Sequence, residues 1–177
     1  MKIVIIEDVL MKLFSFIPSR QYVQAGKPHV TPKPTYHFGD VKELNKLIVG
    51  LNHKMYPVIY QTSSQWQGDS KDSKSTTEIT LVIATQTSAQ EYNDQRWATT
   101  YQNVLIPTLN YIFQVFTKSR VISWDGTYTI DNAPNYSETD PKDKNAFADI
   151  VDAIVLTTTI KVDGGVCVDK NIIFKEI

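Results

Sequence analysis

Residues 76–87, TTEITLVIATQT, predict one long β-strand whose two faces differ in polarity. Its alternate positions form an apolar set and a mixed set, namely Ile79, Leu81 and Ile83, and Glu78, Thr80, Val82 and Ala84. Successive side chains of a strand point to opposite faces, so the first set predicts a buried face and the second a partly covered face. A sheet with one face against a core is therefore the expected centre of the fold.

A second strand is predicted just before this one. The run MYPVIYQT, residues 55–62, contains Pro57, which has no N–H for a ladder, so the strand should begin there or lie at an edge. Residues 63–75, SSQWQGDSKDSKS, are polar and serine-rich and predict a loop. The two strands and this loop together predict a long hairpin.

The last strands are predicted near the end of the sequence. The run FADIVDAIVLTTTIKV, residues 147–162, is β-rich and strongest from Ala153. Its positions that share one face are Ile154, Leu156, Thr158, Ile160 and Val162. Gly164-Gly165 then predicts a turn, after which Val166–Val168 or Ile172–Ile177 forms the final strand.

Two amphipathic helices are predicted in the first third of the chain. In residues 3–16 the apolar side chains fall on one helical stripe, and Pro18 ends the helix because proline disfavours helical backbone in the residue before it. Asp40 is placed to cap the second helix, and Glu43 completes a start that resembles a capping box.

A third and longer helix is predicted after Ser88, which is placed to cap it. Its predicted core stripe comprises Tyr92, Trp97, Tyr101, Val104, Leu105, Thr108, Ile112, Val115 and Phe116. Pro107 lies inside this helix. Because proline removes a backbone hydrogen bond and crowds the carbonyl of Asn103, we expect a kink or break near residues 103–106.

Two long segments carry no helical or extended periodicity. Residues 19–38 contain three prolines and predict an extended, proline-stiffened arm. Residues 117–148 predict a long irregular segment, in which Asp125-Gly126 favours a short hairpin between Val121–Trp124 and Tyr128–Ile130.

The predicted fold class is α+β, with a small, mainly antiparallel sheet, helices packed on one face, an extended N-terminal arm and long loops. Its length suits one domain. The predicted parts of this single domain, residues 1–177, are an N-terminal helix and proline-rich arm (1–38) and an α+β core (39–177) with long loops at 63–75 and 117–148.

The charge balance excludes some partners and suggests another. With 18 basic and 19 acidic residues, the chain lacks the basic excess that nucleic-acid binding needs, and no apolar run is long enough for a membrane span. Residues 1–54 carry 8 basic and 4 acidic groups, whereas residues 131–152 carry 2 and 6. This charge gradient has two interpretations: the charged side chains are simply solvent-exposed, or the basic and acidic segments of neighbouring copies of the chain meet.

No motif for catalysis or for ligand binding stands out. His29, His37 and His53 lack metal-ligand spacing, and Cys167 amid valines is typical of a small apolar filler. Phosphate-binding glycine motifs and a serine elbow are missing from the sequence. A further acidic set lacks the order of a calcium loop, namely Asp140, Asp143, Asp149 and Asp152. We therefore predict no catalytic residue, no cofactor and no metal.

Two phrases carry a resemblance to a known class of proteins: ATQTSAQEYNDQRWATTYQNVLIPTLNYIF (84–113) and FADIVDAIVLTTTIKV (147–162). With the order of elements over roughly residues 40–162, they resemble tail terminator, tail-completion or head–tail connector (neck ring) proteins of tailed bacteriophages, of the kind seen in phages of gut bacteria. The resemblance implies a non-enzymatic virion protein that forms a ring closing the tail tube or joining it to the head.

The partners and location that the resemblance implies are other copies of the chain, in a hexamer or dodecamer, and neighbouring portal, neck or tail-tube proteins in the virion, after synthesis in the bacterial host cytoplasm. The aromatic residues predicted to contact neighbours are Tyr22, Tyr36, Phe38, Trp66, Trp124 and Tyr136, because they fall in predicted loops. Two alternatives stay open: an α+β module that binds a small molecule or peptide between the sheet and segment 117–148, and an enzyme with an unrecognised site.

Overall fold

The computed structural model describes residues 5–51, 54–62, 66–69, 74–88, 90–136 and 149–163. They form an α+β fold, as predicted, in which helices cover a mixed and mostly antiparallel sheet. The predicted features that lie outside the described residues are the final strand, Cys167, His53, Asp140 and Asp143.

The described strands form a two-stranded sheet and a larger mixed sheet. Those of the small sheet are β1 (Arg20–Gln24) and β2 (Lys27–Thr31). Those of the large sheet are β3 (Thr35–Phe38), β4 (Val58–Gln61), β5 (Trp66–Asp69), β6 (Lys74–Gln86), β7 (Ile122–Ser123), β8 (Tyr128–Ala133) and β9 (Val151–Asp163). The helices are α1 (Ile6–Phe14), α2 (Val41–Gly50), α3 (Asn93–Arg96), a π-helix (Trp97–Leu105) and α4 (Ile106–Lys118).

The ladder between β6 and β9 forms the centre of the large sheet. All 13 residues of β6 pair antiparallel with β9, from Lys74 opposite Asp163 to Gln86 opposite Val151. Each of these long strands then has two short strands on its other side. β4 and β5 both pair with β6, while β8 and β7 both pair with β9. β3 adds to β4 in parallel and is the outermost described strand on that side.

The alternation predicted for β6 is confirmed, and it divides the core into two parts. Ile79, Leu81 and Ile83 point to the face that is covered by α1, the π-helix and α4; we call this the α4 face. Val82 and Ala84 point to the other face, where α2 packs; we call this the α2 face. The sheet therefore carries helices on both faces, whereas the sequence led us to expect them on one.

The connections between the main elements contain more paired strands than the sequence led us to expect. The proline-rich arm forms the β1–β2 hairpin and then β3, and the serine-rich loop contains β5. In the late segment, β7 and β8 do not form the predicted hairpin around Asp125-Gly126, because both pair with β9 and lie one after the other along its edge. A strand as long as β9 offers enough backbone partners for both.

Some of the predicted starts of helices and strands are confirmed, and others are wrong. Asp40 caps α2 as predicted, since its side chain accepts a hydrogen bond of 2.8 Å from the backbone N–H of Lys42. β4 begins directly after Pro57, also as predicted. Ser88 does not cap the long helix, which begins at Asn93, and Tyr92 and Trp97 of the predicted core stripe are 79% and 47% exposed.

We expect Leu81→Ala to lower the free energy of unfolding by about 2–5 kcal/mol, because Leu81 is fully buried on the α4 face and its loss leaves a cavity. Urea unfolding of the variant and the wild type measures this change. Glu78→Ala is the matched control on the same strand, since Glu78 is exposed, and it should change stability by less than about 0.5 kcal/mol. Equal losses in the two variants would contradict the assignment of faces.

Candidate assembly surface

A buried ion pair joins the start of the long helix to the sheet. Arg96 ends α3 and Asp152 is the second residue of β9, and a guanidinium nitrogen of Arg96 lies 2.8 Å from a carboxylate oxygen of Asp152. Asp152 is completely buried, and its other oxygen accepts a hydrogen bond of 2.7 Å from the Thr100 hydroxyl in the π-helix. No local sequence pattern indicates this pair, because its two residues lie 56 positions apart.

Three further N–H groups of Arg96 are used as well. They donate to the backbone carbonyls of Glu91, at 2.9 Å, and Ser88, at 3.0 Å, and to the side chain of Asn135. The network therefore fastens the β6–α3 connection and the turn after β8 to β9. Because the pair is buried and its polar atoms are hydrogen-bonded, its geometry fits a structural role in positioning the helix.

A carbonyl that Pro107 leaves without its usual donor holds the N-terminal hairpin. In a regular α-helix the N–H of residue 107 would bind the carbonyl of Asn103, but proline has no N–H. The Asn103 carbonyl instead accepts hydrogen bonds from the Arg20 guanidinium, at 3.2 Å, and the Thr31 hydroxyl, at 3.4 Å. The helix changes from π to α geometry at residues 105–106, within the region where a break is predicted.

Beyond this attachment the β1–β2 hairpin exposes an apolar face. Val23 is 71% exposed and Val30 is 60% exposed, and both lie on the face opposite Arg20 and Thr31. The hairpin turns at Ala25-Gly26, where both residues have positive φ angles of 49° and 76°. A type I′ turn requires this backbone, so the register of the hairpin is well defined.

On the side of the large sheet away from β3, the outer described strand β8 has exposed side chains. Tyr128 and Ile130 of β8 are 46% and 36% exposed and lie on the α4 face. Tyr128 contacts Phe113 with ring centroids 4.8 Å apart, and Phe113 stacks on Trp124 at 5.3 Å. This aromatic cluster supports β8 from one side.

The six aromatic residues predicted at an interface lie in different surroundings. Phe38 is 40% exposed in β3, and Tyr22 is half-buried in the hairpin, where its ring stacks on His29. The three that pack within the chain are Tyr36 against Phe14, Trp124 against Phe113, and Tyr136 against the core on the α2 face. Trp66 pairs through its backbone with Thr77. Four of the six lie in strands rather than in loops, and their role in contacts stays a prediction.

The described residues show few features of a catalytic, metal or ligand site. Among them, no group of three or more His, Cys, Asp or Glu side chains is placed to hold a metal ion. Burial lowers the pKa of His37, so its imidazole favours the neutral form. An open depression between the sheet and the late segment is lined by Thr76, Ser123, Trp124, Asp125, Thr159, Ile160 and Lys161. It lies where the ligand-binding alternative expects a pocket.

Comparison with models of known protein families finds no match, and comparison with curated protein sequences finds no relative. In the part of the chain that the structure describes, no helix has the length and apolar character of a membrane span.

Removing one partner of the buried ion pair should destabilise the fold strongly. Arg96→Met leaves the Asp152 carboxylate buried without its cation, and we expect the free energy of unfolding to fall by about 3–5 kcal/mol. The double variant Arg96→Met/Asp152→Leu should lose less than the single variant, because no charge is then left unpaired. Chemical denaturation measures both, and Arg120→Met, at an exposed arginine, is the matched control. A double variant less stable than Arg96→Met would contradict this explanation.

Stability should decline in alkaline solution through Tyr101. Burial, with a smaller contribution from Asp152, raises the pKa of Tyr101 to about 12. The unfolded chain loses this proton near pH 10, so between about pH 10 and 12 it binds fewer protons than the folded chain and the free energy of unfolding falls as pH rises. Tyr101→Phe should make that decline shallower, whereas Tyr92→Phe, at an exposed tyrosine, should leave it unchanged. Denaturant titrations at several pH values test this, and equal slopes in all three proteins would contradict it.

Proposed function

We propose that this chain is a non-enzymatic structural subunit of a bacteriophage particle and forms a homo-oligomeric ring, a hexamer or dodecamer, at the head–tail junction or the tail end. The observation that carries the assembly part is the β1–β2 hairpin, whose apolar outer face is exposed. Its expected neighbours are further copies of the chain and portal, neck or tail-tube proteins.

The hairpin supports assembly because its exposed face offers apolar area that a single copy leaves in water. A two-stranded hairpin alone is marginally stable, and this one is held at its base through Arg20 and Thr31. Val23 and Val30 then present β-branched side chains on its free face. Contact with a neighbouring subunit would bury them and favour the extended geometry of the hairpin.

The phage part of the proposal is supported by the sequence resemblance alone. The first matching phrase, residues 84–113, covers the end of β6 and much of the long helix, and the second, residues 147–162, covers most of β9. These segments are the centre of the fold, so the resemblance concerns the body of the subunit. It leaves open whether the ring is a tail terminator or another connector.

The charge gradient supports assembly less than a residue count suggests. Asp152 is one of the six acidic residues in the range 131–152, but it is buried and paired with Arg96. Asp131, in contrast, lies exposed on β8. Contacts between exposed charges of neighbouring copies weaken as salt rises, because ions screen them over a Debye length of about 8–10 Å.

The double variant Val23→Lys/Val30→Lys tests the contribution of the hairpin. Charges on its apolar face should reduce ring formation, which native mass spectrometry and negative-stain microscopy of the purified protein measure across a concentration series. We expect at least a tenfold rise in the concentration needed for assembly. Val49→Lys, on α2, is the control, since Val49 is 59% exposed and lies away from the hairpin.

Three results would count against the proposal. A wild-type protein that stays monomeric at high concentration and does not associate with portal or tail-tube protein would contradict the ring. A monomer that binds a small molecule in the depression beside Trp124 would favour the ligand-binding alternative. Catalytic activity lost on substitution of His29, His37, His53 or Cys167 would favour an enzyme.

A further inference from the structure

The β1–β2 hairpin lies outside both hydrophobic cores. The chain leaves the core on the α4 face at Ile17, which is 1% exposed, and is buried again at Pro34. Between these two points, where the structure describes every residue, Thr31 is the only buried one. Neither of the two described cores includes a residue of β1 or β2. The position of the hairpin on the molecule therefore depends on the contacts at its base.

The hairpin is a unit with its own internal interactions. All five residues of β1 pair antiparallel with the five residues of β2. The rings of Tyr22 and His29 stack across this pair, with their centroids 5.4 Å apart. Because these interactions lie within the hairpin, a change in its direction does not require the two strands to separate.

Both strands are attached at the base through one atom, the backbone oxygen of Asn103. This oxygen accepts a hydrogen bond of 3.2 Å from the Arg20 guanidinium, at the start of β1, and one of 3.4 Å from the Thr31 hydroxyl, at the end of β2. A carbonyl oxygen has two lone pairs, so these two donors use its full capacity. We call Arg20, Thr31 and the Asn103 oxygen the latch.

Pro107 keeps the Asn103 oxygen available to the hairpin. In an α-helix the N–H of residue 107 donates to the carbonyl of residue 103, and proline has no N–H. Any other residue at position 107 restores this donor within the helix. Because the oxygen has no third lone pair, the restored N–H competes with Arg20 and Thr31.

Prolines also restrict the two connections of the hairpin to the body. Pro18 precedes β1 and Pro32 follows β2, and the ring of proline fixes the φ angle near −65°. Between the base of the hairpin and the helix lies a narrow crevice, whose lining includes Pro18, Pro32, Pro34 and Pro107. The prolines limit the directions that the hairpin can take, and the latch selects one of them.

The helix beneath the latch is uncharged. Residues 97–117, which comprise the π-helix and most of α4, contain no Asp, Glu, Lys or Arg. The Arg20 guanidinium therefore meets a neutral acceptor there, and a hydrogen bond with one charged partner is stronger than one between two neutral groups. We expect Arg20 to contribute more to the latch than Thr31.

We infer that the latch, which Pro107 keeps open to the hairpin, sets the direction in which the hairpin projects from the body. In the proposed ring, on which only this consequence rests, Arg20 and Thr31 are positioning residues for assembly. Without the latch the hairpin keeps its own strand pairing but takes several directions. A neighbouring copy must then order it on binding, at a cost in conformational entropy.

Distances between two spin labels test the latch within one chain. In a Cys167→Ser background, Lys27→Cys beside the hairpin turn and Gln102→Cys on the π-helix carry the labels, since both positions are exposed. Dilution with unlabelled protein removes distances between chains. We expect one narrow distance distribution in the otherwise wild-type chain, and a broadened or shifted distribution after Thr31→Val or Pro107→Ala.

Matched variants separate the hydrogen bonds of the latch from packing. Thr31→Ser keeps the hydroxyl, whereas Thr31→Val keeps the shape of the side chain and loses the donor, so only the second should broaden the distribution. Arg20→Lys keeps the charge and a donor, and it should broaden the distribution less than Arg20→Met. Urea unfolding curves of these variants should stay close to that of the wild type, because the hairpin lies outside both cores.

Assembly provides the second readout. Variants with a broadened distribution should need a several-fold higher concentration for ring formation, measured by native mass spectrometry, although the apolar face of the hairpin is unchanged. Thr31→Ser should assemble like the wild type. This difference between two variants of one residue is what a loss of packing alone would not produce.

The outcomes separate the latch from the proposed ring. Narrow distributions in Thr31→Val and Pro107→Ala, or broadening only in variants with reduced stability, overturn the latch and leave the ring in place. Broad distributions with unchanged assembly overturn the positioning role. A strictly monomeric wild-type protein overturns the ring and the positioning role, and the distances within one chain still decide whether the latch exists.

Discussion

The antiparallel ladder between β6 and β9 is the interaction on which the rest of the structure depends. Its 13 residue pairs bring together segments about 77 positions apart, and they set the alternation that divides the core into two faces. Every other described strand of the large sheet attaches to this pair directly or through β4. Because a shift of one residue would turn every side chain to the wrong face, the buried rows of both strands define the register.

The position of the long helix on this ladder depends on polar contacts as well as apolar packing. Arg96 and Asp152 fix its start. The carbonyl of Asn103, whose α-helical donor would be the N–H that Pro107 lacks, accepts hydrogen bonds from Arg20 and Thr31 at the base of the hairpin. A proline that interrupts helical hydrogen bonding thus creates an attachment point for another part of the chain. Side chains therefore join the helix to the sheet, and a backbone carbonyl of the helix joins it to the hairpin.

The parts of the fold that were predictable from sequence are those that local chemistry determines. The alternation of β6, the stripe of α1, the Asp40 cap and the effect of Pro107 each depend on neighbours a few residues away. The pairings of β5, β7 and β8 were missed because they depend on a long strand that lies far away in the sequence. Asp-Gly at 125–126 favoured a local hairpin, but β7 and β8 both pair with the edge of β9 instead of with each other.

The candidate surface was less predictable for the same reason. Aromatic residues were selected because they fell in predicted loops, yet Tyr36 and Trp124 pack within the chain, while exposed apolar residues of the hairpin and of β8 were not selected. Exposure depends on which strand lies at an edge, and a sequence pattern does not specify that. In β8 the alternation of Tyr128 and Ile130 with polar residues was the available signal.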